Sequence, residues 1–138
     1  MIIFSRGVRS QLYIKNYFSY ELVHSKINSI VIGWGHKPTA DKARCYALKH
    51  NLPYIALEDG FLRSLALGCK GAQPLSLVVD HTGIYYDATE PSDLENLLNG
   101  SGGDLEGQLQ SAQHAIEAIK RHDLSKYNHA PRAAEKLL

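Results

Sequence analysis

Two short apolar runs stand out along the chain. Ile30-Val31-Ile32 is closed by Gly33-Trp34-Gly35, and Tyr54-Ile55-Ala56-Leu57 is closed by Glu58-Asp59-Gly60. Both predict buried strands. Between them Pro38-Thr39-Ala40-Asp41 marks a helix start, Ala43, Ala47 and Leu48 supply apolar positions, and Asn51 and Pro53 stop the helix. Strand, helix and strand in that order form a βαβ unit, which implies a parallel sheet with helices on its faces.

Farther on, Leu75-Ser76-Leu77-Val78-Val79 and Ile84-Tyr85-Tyr86 are β-rich and joined by the polar Asp80-His81-Thr82-Gly83. A hairpin is expected over residues 75–87. Ser92 followed by Glu95 is a capping box that opens a short helix through Leu98, ended by Gly100-Ser101-Gly102-Gly103. From Leu105, apolar side chains recur at Leu109, Ala112, Ala115, Ile116 and Ile119. That spacing gives a helix one buried stripe and predicts an end near His122. The first twenty residues fit either a strand followed by a helix or an irregular lead-in. The expected class is therefore α/β: a Rossmann-like parallel sheet with flanking helices and one hairpin.

A chain of 138 residues with 44% hydrophobic content can bury one core. A single domain over residues 1–131 is expected, with 132–138 beginning a further helix. Fifteen basic and fourteen acidic residues leave a net charge of +1, without the clustered positive charge that binding to phosphate backbones requires. Nucleic acid is thereby an unpromising partner. Cys45 and Cys69 lack metal-site spacing and read as reduced structural thiols. The seven histidines show no HExxH or comparable pattern, so no metal site is expected. Met1-Ile2-Ile3-Phe4 meets Arg6 and Arg9 at once, which suits neither a membrane span nor a signal peptide. A cytoplasmic chain is expected, with any inner-membrane contact peripheral.

In open α/β sheets, ligands gather beyond the carboxyl ends of the strands. One such loop is Gly33-Trp34-Gly35-His36-Lys37, whose glycines let backbone N–H groups approach a ligand and whose His36 and Lys37 can meet an anion. A plain tight turn before a helix fits that loop equally well. The sharper signal is Glu58-Asp59-Gly60-Phe61-Leu62-Arg63-Ser64, which puts two adjacent carboxylates and a guanidinium at a strand end. Adjacent carboxylates can divide catalytic roles between them, and arginine clamps carboxylates or phosphates. A strand-end turn with a surface ion pair is the plain alternative. Asp80 and Asp87 flank the expected hairpin, where turn capping accounts for them. Lys126 and Tyr127 follow the last helix, where a basic residue also suits the helix dipole.

Taken together, Gly33-Trp34-Gly35-His36-Lys37-Pro38, Leu57-Glu58-Asp59-Gly60-Phe61-Leu62-Arg63-Ser64, Pro74 through Asp80, Gly83-Ile84-Tyr85-Tyr86-Asp87-Ala88 and Leu124-Ser125-Lys126-Tyr127-Asn128 resemble the KpsC-type (LipA-type) capsule polysaccharide biosynthesis proteins, the retaining β-Kdo glycosyltransferases. The resemblance runs from about Ile30 to Pro131, with the motifs in order. It implies transfer of Kdo from the donor CMP-Kdo to a lipid-linked sugar acceptor, without a further cofactor. It also implies two Rossmann-like domains facing each other across a GT-B-like cleft. A retaining double displacement needs a carboxylate nucleophile. The candidate is Asp59, with Glu58 orienting it or serving as acid/base. His36, Lys37 and Arg63 would balance substrate charge, and Ser64, Asp80 and Asp87 complete the substrate-binding set that the resemblance implies.

Family members continue into a second domain, expected to bind the donor nucleotide. This chain is expected to be the acceptor-side half, inactive alone. Homodimerisation through the uncovered face stays open. So does another class of function: a non-catalytic module that binds a nucleotide or an anionic sugar, or that assembles the capsule machinery. The adjacent carboxylates favour the enzyme, since anion binding alone gains nothing from them.

Overall fold

The computed structural model describes residues 1–9, 14–16, 18, 29–64, 76–101 and 106–126. The expectations for Cys69, for the start of the hairpin at Leu75, for Tyr127 and for the helix over 132–138 lie outside these residues. Contacts divide the chain into two compact units, one of Met1–Glu58 with Val78–Gly103 and one of Asp59–Leu77 with Asp104–Leu138.

The first unit is built on a sheet of four strands in the order β1-β2-β3-β4: β1 Ile2–Ile3, β2 Val31–Trp34, β3 Tyr54–Asp59 and β4 Leu77–Asp80. β1 runs parallel to β2, pairing Ile2 with Val31. β2 runs parallel to β3, pairing Val31 with Tyr54 and Trp34 with Leu57. The lead-in therefore resolves as a strand followed by helix. α1 spans Arg6–Arg9, and residues 14–16 and 18 are also helical, with Ile14 and Phe18 fully buried. Their four-residue spacing places both on one helix face.

Between β2 and β3 runs α2, Pro38–Lys49, as the sequence predicts. Pro38 stands in its first turn, Asp41 lies near the positive helix end and Lys49 near the negative one. Its end is a Schellman closure. Asn51 takes a left-handed φ of 51°, its N–H donates to the Leu48 carbonyl at 3.3 Å, and the Leu52 N–H reaches back to the Ala47 carbonyl at 2.9 Å. Leu52 then packs on the core cluster of Val31, Ala43 and Ala47, joined by Ile2, Phe4, Tyr46 and Tyr54. Ile32, Ala56 and Leu57 are also buried. Removing a side chain the size of Ile32 or Leu57 from water stabilises the fold by about 1.5–3 kcal/mol each.

The second strand expected at Ile84–Tyr86 does not form. After β4 the chain turns through residues 81–89 because Asp80 gathers the backbone donors a hairpin ladder would need. Its Oδ1 accepts from the N–H groups of Thr82 at 3.0 Å and Gly83 at 2.7 Å. Ile84 is buried, whereas Tyr85 and Tyr86 are exposed. The predicted cap at Ser92 is present: its Oγ accepts the Glu95 N–H at 3.1 Å, starting α3, Asp93–Asn96. A wider turn, Leu97–Ser101, continues it to Gly100, whose φ of 84° breaks the helix.

In the second unit, α4 spans Glu106–Arg121 and also ends in a Schellman closure. Asp123 supplies the left-handed residue at φ 51°, and the Leu124 N–H donates to the Ile119 carbonyl at 3.0 Å. The periodicity placed this helix and its end, but not its burial. Leu109 and Ile116 are 59% and 49% exposed, because an apolar stripe is buried only where another element covers it, and none of the described residues does so.

Gly33 sits where sheet and helix approach most closely. A Cβ there would overlap the Tyr54 hydroxyl and lie 3.0 Å from the Ala40 Cβ. Gly33→Val is therefore expected to lower the unfolding free energy by about 1–3 kcal/mol, read from the urea midpoint. An unchanged midpoint would mean that strand and helix part here at no cost.

Candidate functional site

The loop that leaves β2 is shaped by side chains from three stretches of the first unit. Gly35 has a φ of 46°, and a Cβ on it would meet the Tyr86 hydroxyl and lie 2.6 Å from Glu58 Oε2. Glycine is thus required both by conformation and by space. The indole N–H of Trp34 donates to Glu58 Oε1 at 3.0 Å, and the His36 N–H donates to the Tyr86 hydroxyl at 3.1 Å. Lys37 Nζ lies 5.6 Å from the centre of the Trp34 ring, within cation–π range. Glu58 and Lys37 thus have partners in or beside this loop.

His36 continues into a charged network. Its Nε2 lies 3.1 Å from Asp87 Oδ2, and its Nδ1 lies 3.5 Å from an Arg44 guanidinium nitrogen. A proton on Nε2 satisfies both contacts, donating to Asp87 and leaving Nδ1 to accept. Arg44 projects from α2, held by Asp41 at 2.6 Å and donating to the Gly35 carbonyl and the Tyr54 hydroxyl, both at 3.4 Å. Partial burial is the largest single influence and works against the Arg44 charge, but the bond to Asp41 and the charge and hydroxyl interactions with Asp41 and Tyr54 together outweigh it, and the pKa ends above its ordinary value. Burial also raises Tyr54, partly offset by the Arg44 charge. Tyr86 is likewise raised by burial, against the lowering effect of the His36 N–H.

His36, Arg44, Tyr54, Asp80 and Asp87 line one cavity of about 200 Å³, together with the turn from His81 to Ile84 and with Glu90. Asp87 is fixed by Thr89, whose Oγ1 and N–H both donate to its Oδ1, and these bonds hold its pKa below the usual carboxylate value. Asp93 accepts from the His81 N–H at 2.7 Å and the Thr82 hydroxyl at 2.5 Å. Burial opposes its charge, yet those bonds leave its pKa lowered.

The remaining predicted residues belong to the second unit. Arg63 Nε donates to Asp59 Oδ1 at 3.1 Å, with both side chains more than four-fifths buried. Its Nη1 donates to the Ser64 hydroxyl at 2.9 Å, and Ser64 is fully buried. The Arg63 N–H donates to the Lys126 carbonyl at 3.0 Å, the Gly60 N–H to the Ser76 carbonyl at 3.1 Å, and the Ser76 hydroxyl to the Leu62 carbonyl at 2.8 Å. The loop after β3 is thus pinned on both sides, and the ion pair that forms there is largely desolvated, not the surface pair of the plain alternative. Successive strand residues project to opposite faces, and the partners follow: Trp34 for Glu58, Arg63 for Asp59.

His36, Asp80 and Asp87, predicted separately, meet at one cavity. Arg44, Tyr54, Tyr86 and Asp93 escaped the sequence reading as site residues. The i,i+3 pair Asp41–Arg44 was a visible signal for Arg44. The other three contacts join distant stretches and leave no local pattern.

Residues 29–138 match the sequence profile of the family described as capsule polysaccharide biosynthesis protein. The chain belongs to this family. It is 53% identical over 105 residues to the capsule polysaccharide modification protein LipA of Neisseria meningitidis serogroup B (strain ATCC BAA-335 / MC58), which covers 76% of this chain and 15% of that protein. To the lipopolysaccharide-processing protein LpsZ of Rhizobium meliloti it is 45% identical over 87 residues, 62% of this chain and 20% of that one. Among solved structures, the KpsC β-Kdo 2,4 transferase of Thermosulfurimonas dismutans superposes with a TM-score of 0.73 at 44% identity, over 97% of this chain and 44% of that chain. The chain therefore spans less than a quarter of the length of these curated relatives and under half of the solved structure. No helix among the described residues is long and apolar enough to cross a membrane.

The lowered Asp87 and Asp93 give the first unit a defined acid response. A carboxylate whose pKa is lower folded than unfolded adds stability above the unfolded value and loses it as pH falls through the folded one. The thermal midpoint should hold from pH 7 to 5 and fall below about pH 4, less so in Asp93→Asn. A midpoint that falls equally in wild type and variant would remove Asp93 from the cause.

Proposed function

We propose that this chain is the acceptor-side half of one transferase module that moves Kdo from CMP-Kdo to a lipid-linked acceptor in capsule biosynthesis. The observation that carries the reading is the likeness to the Kdo 2,4 transferase over nearly the whole chain. The Asp59–Arg63 pair supports it at the level of chemistry. The donor-binding wall of the cleft would come from a second domain, and the lipid acceptor would bring the protein to the cytoplasmic face of the inner membrane as a peripheral partner.

In this reading Asp59 attacks the anomeric carbon of the donor, and the bond to the phosphate oxygen of CMP breaks with its electron pair leaving on that oxygen. An acceptor hydroxyl then displaces Asp59 from the sugar with a second inversion, losing its proton to a base, so that configuration is retained. Arg63, bonded to Asp59 through Oδ1, positions the attacking carboxylate. Glu58 is engaged by the Trp34 indole, which suits a residue that shapes the loop after β2. Within the first unit, His36, Lys37 and Arg44 offer positive or hydrogen-bonding groups that suit an anionic ligand.

The test is Asp59→Asn in the full-length transferase, assayed for Kdo transfer to a synthetic lipid-linked acceptor. Loss of about 10³-fold or more in turnover is expected, with accumulation of no glycosyl-enzyme by mass spectrometry. Retention within tenfold of wild type would overturn the nucleophile assignment.

A further inference from the structure

Asp80 is 2% exposed, and its two oxygens differ sharply. Oδ1 accepts three backbone N–H groups, from Thr82, Gly83 and Asp93, the last at 3.2 Å. Oδ2 is buried and accepts none. A buried carboxylate oxygen without a donor is costly, and native proteins rarely keep one without a use. Asp80 also lines the cavity of about 200 Å³, far more room than the roughly 30 Å³ share of one water.

We infer that Asp80 Oδ2 is the anchor of a sugar-binding subsite, accepting a hydrogen bond from a ring or side-chain hydroxyl. The lining argues for a hydroxylated ligand over the alternatives. The Arg44 guanidinium in the same cavity disfavours an ammonium group. Among the described residues, no set of three or more His, Cys, Asp or Glu side chains is placed to hold a metal ion. The cavity instead offers acceptors in Asp80 and Glu90 beside donors in Arg44 and Tyr54, and sugar hydroxyls need both at once. This subsite deepens the transferase reading and rests on it only for the identity of the sugar.

Asp80→Asn isolates the anchor. The amide oxygen can keep the three N–H bonds at Oδ1, while the group at Oδ2 changes from acceptor to donor. The labelled chain would be titrated by NMR with free Kdo, with methyl glucoside and with acetate, following the amides of Thr82, Gly83 and Asp93. Shifts at these amides with Kdo, and binding weakened about tenfold or more in folded Asp80→Asn, are expected. The same behaviour with methyl glucoside but not Kdo upholds the subsite and tells against the Kdo reading. Wild-type affinity in Asp80→Asn, or equal shifts with acetate, overturns the subsite. Should Asp80→Asn not fold, the wild-type titration still decides: no response of these amides to either sugar overturns the proposal.

Discussion

Asp80 Oδ1 collects three backbone N–H groups from two places, the turn after β4 and the first residue of α3. Each charge-assisted bond of this kind contributes about 1.5–3 kcal/mol when made, set against the cost of burying the carboxylate. The geometry of the whole 80–93 segment follows. With its donors turned inward on Asp80, the chain cannot run back beside β4. It folds instead into turns that bury Ile84 and carry Tyr86 to the His36 N–H and Asp87 to the His36 ring. Asp93 closes the circuit from the other side, accepting from His81 and Thr82 while its own N–H is held by Asp80. The cavity wall is therefore a product of backbone satisfaction, and the chemistry it offers is inherited from the turn.

The adjacent carboxylates at the end of β3 illustrate how a strand separates neighbours. Glu58 belongs with Trp34 in the first unit, and Asp59 with Arg63 in the second. A motif that reads in one dimension as a pair thus serves two ends: one carboxylate fixes a loop, and the other sits in a desolvated ion pair. Ion pairs of that kind contribute little net stability, because desolvation offsets attraction.

Legibility followed the range of the interactions. β2, α2, β3 and α4 could be read because apolar runs and spacing, a proline start and Asn51 are local signals, and the two helices close in Schellman turns through Asn51 and Asp123. Ser92 was readable as a cap for the same reason. At Ile84–Tyr86 β-propensity is overridden, because Asp80 claims the backbone donors of the turn that precedes it. Propensity loses to a carboxylate that can bond its own following turn. Burial of the α4 stripe could not be read at all, since periodicity states which side chains share a face and not what lies opposite. The candidate loops were found by the strand-end rule, and Asp87 was named without its partner. That His36 and Asp87 meet, and that Arg44 joins them, depends on contacts spanning 51 and eight residues of sequence.

The same distances explain why the motifs are spread along the chain. Gly35 cannot carry a side chain because Glu58 Oε2 and the Tyr86 hydroxyl occupy the space. A side chain at Gly35 would force the other two to move. Gly33-Trp34-Gly35-His36, Glu58 and Tyr85-Tyr86-Asp87 are thus one three-dimensional constraint written in three places, joined by the indole bond at one end and the His36–Asp87 contact at the other. A protein that needed only a tight turn before α2 would be served by Gly35 alone. A loop locked from both sides instead fixes its N–H groups and the His36 ring in place, which is the preorganisation that a binding site needs.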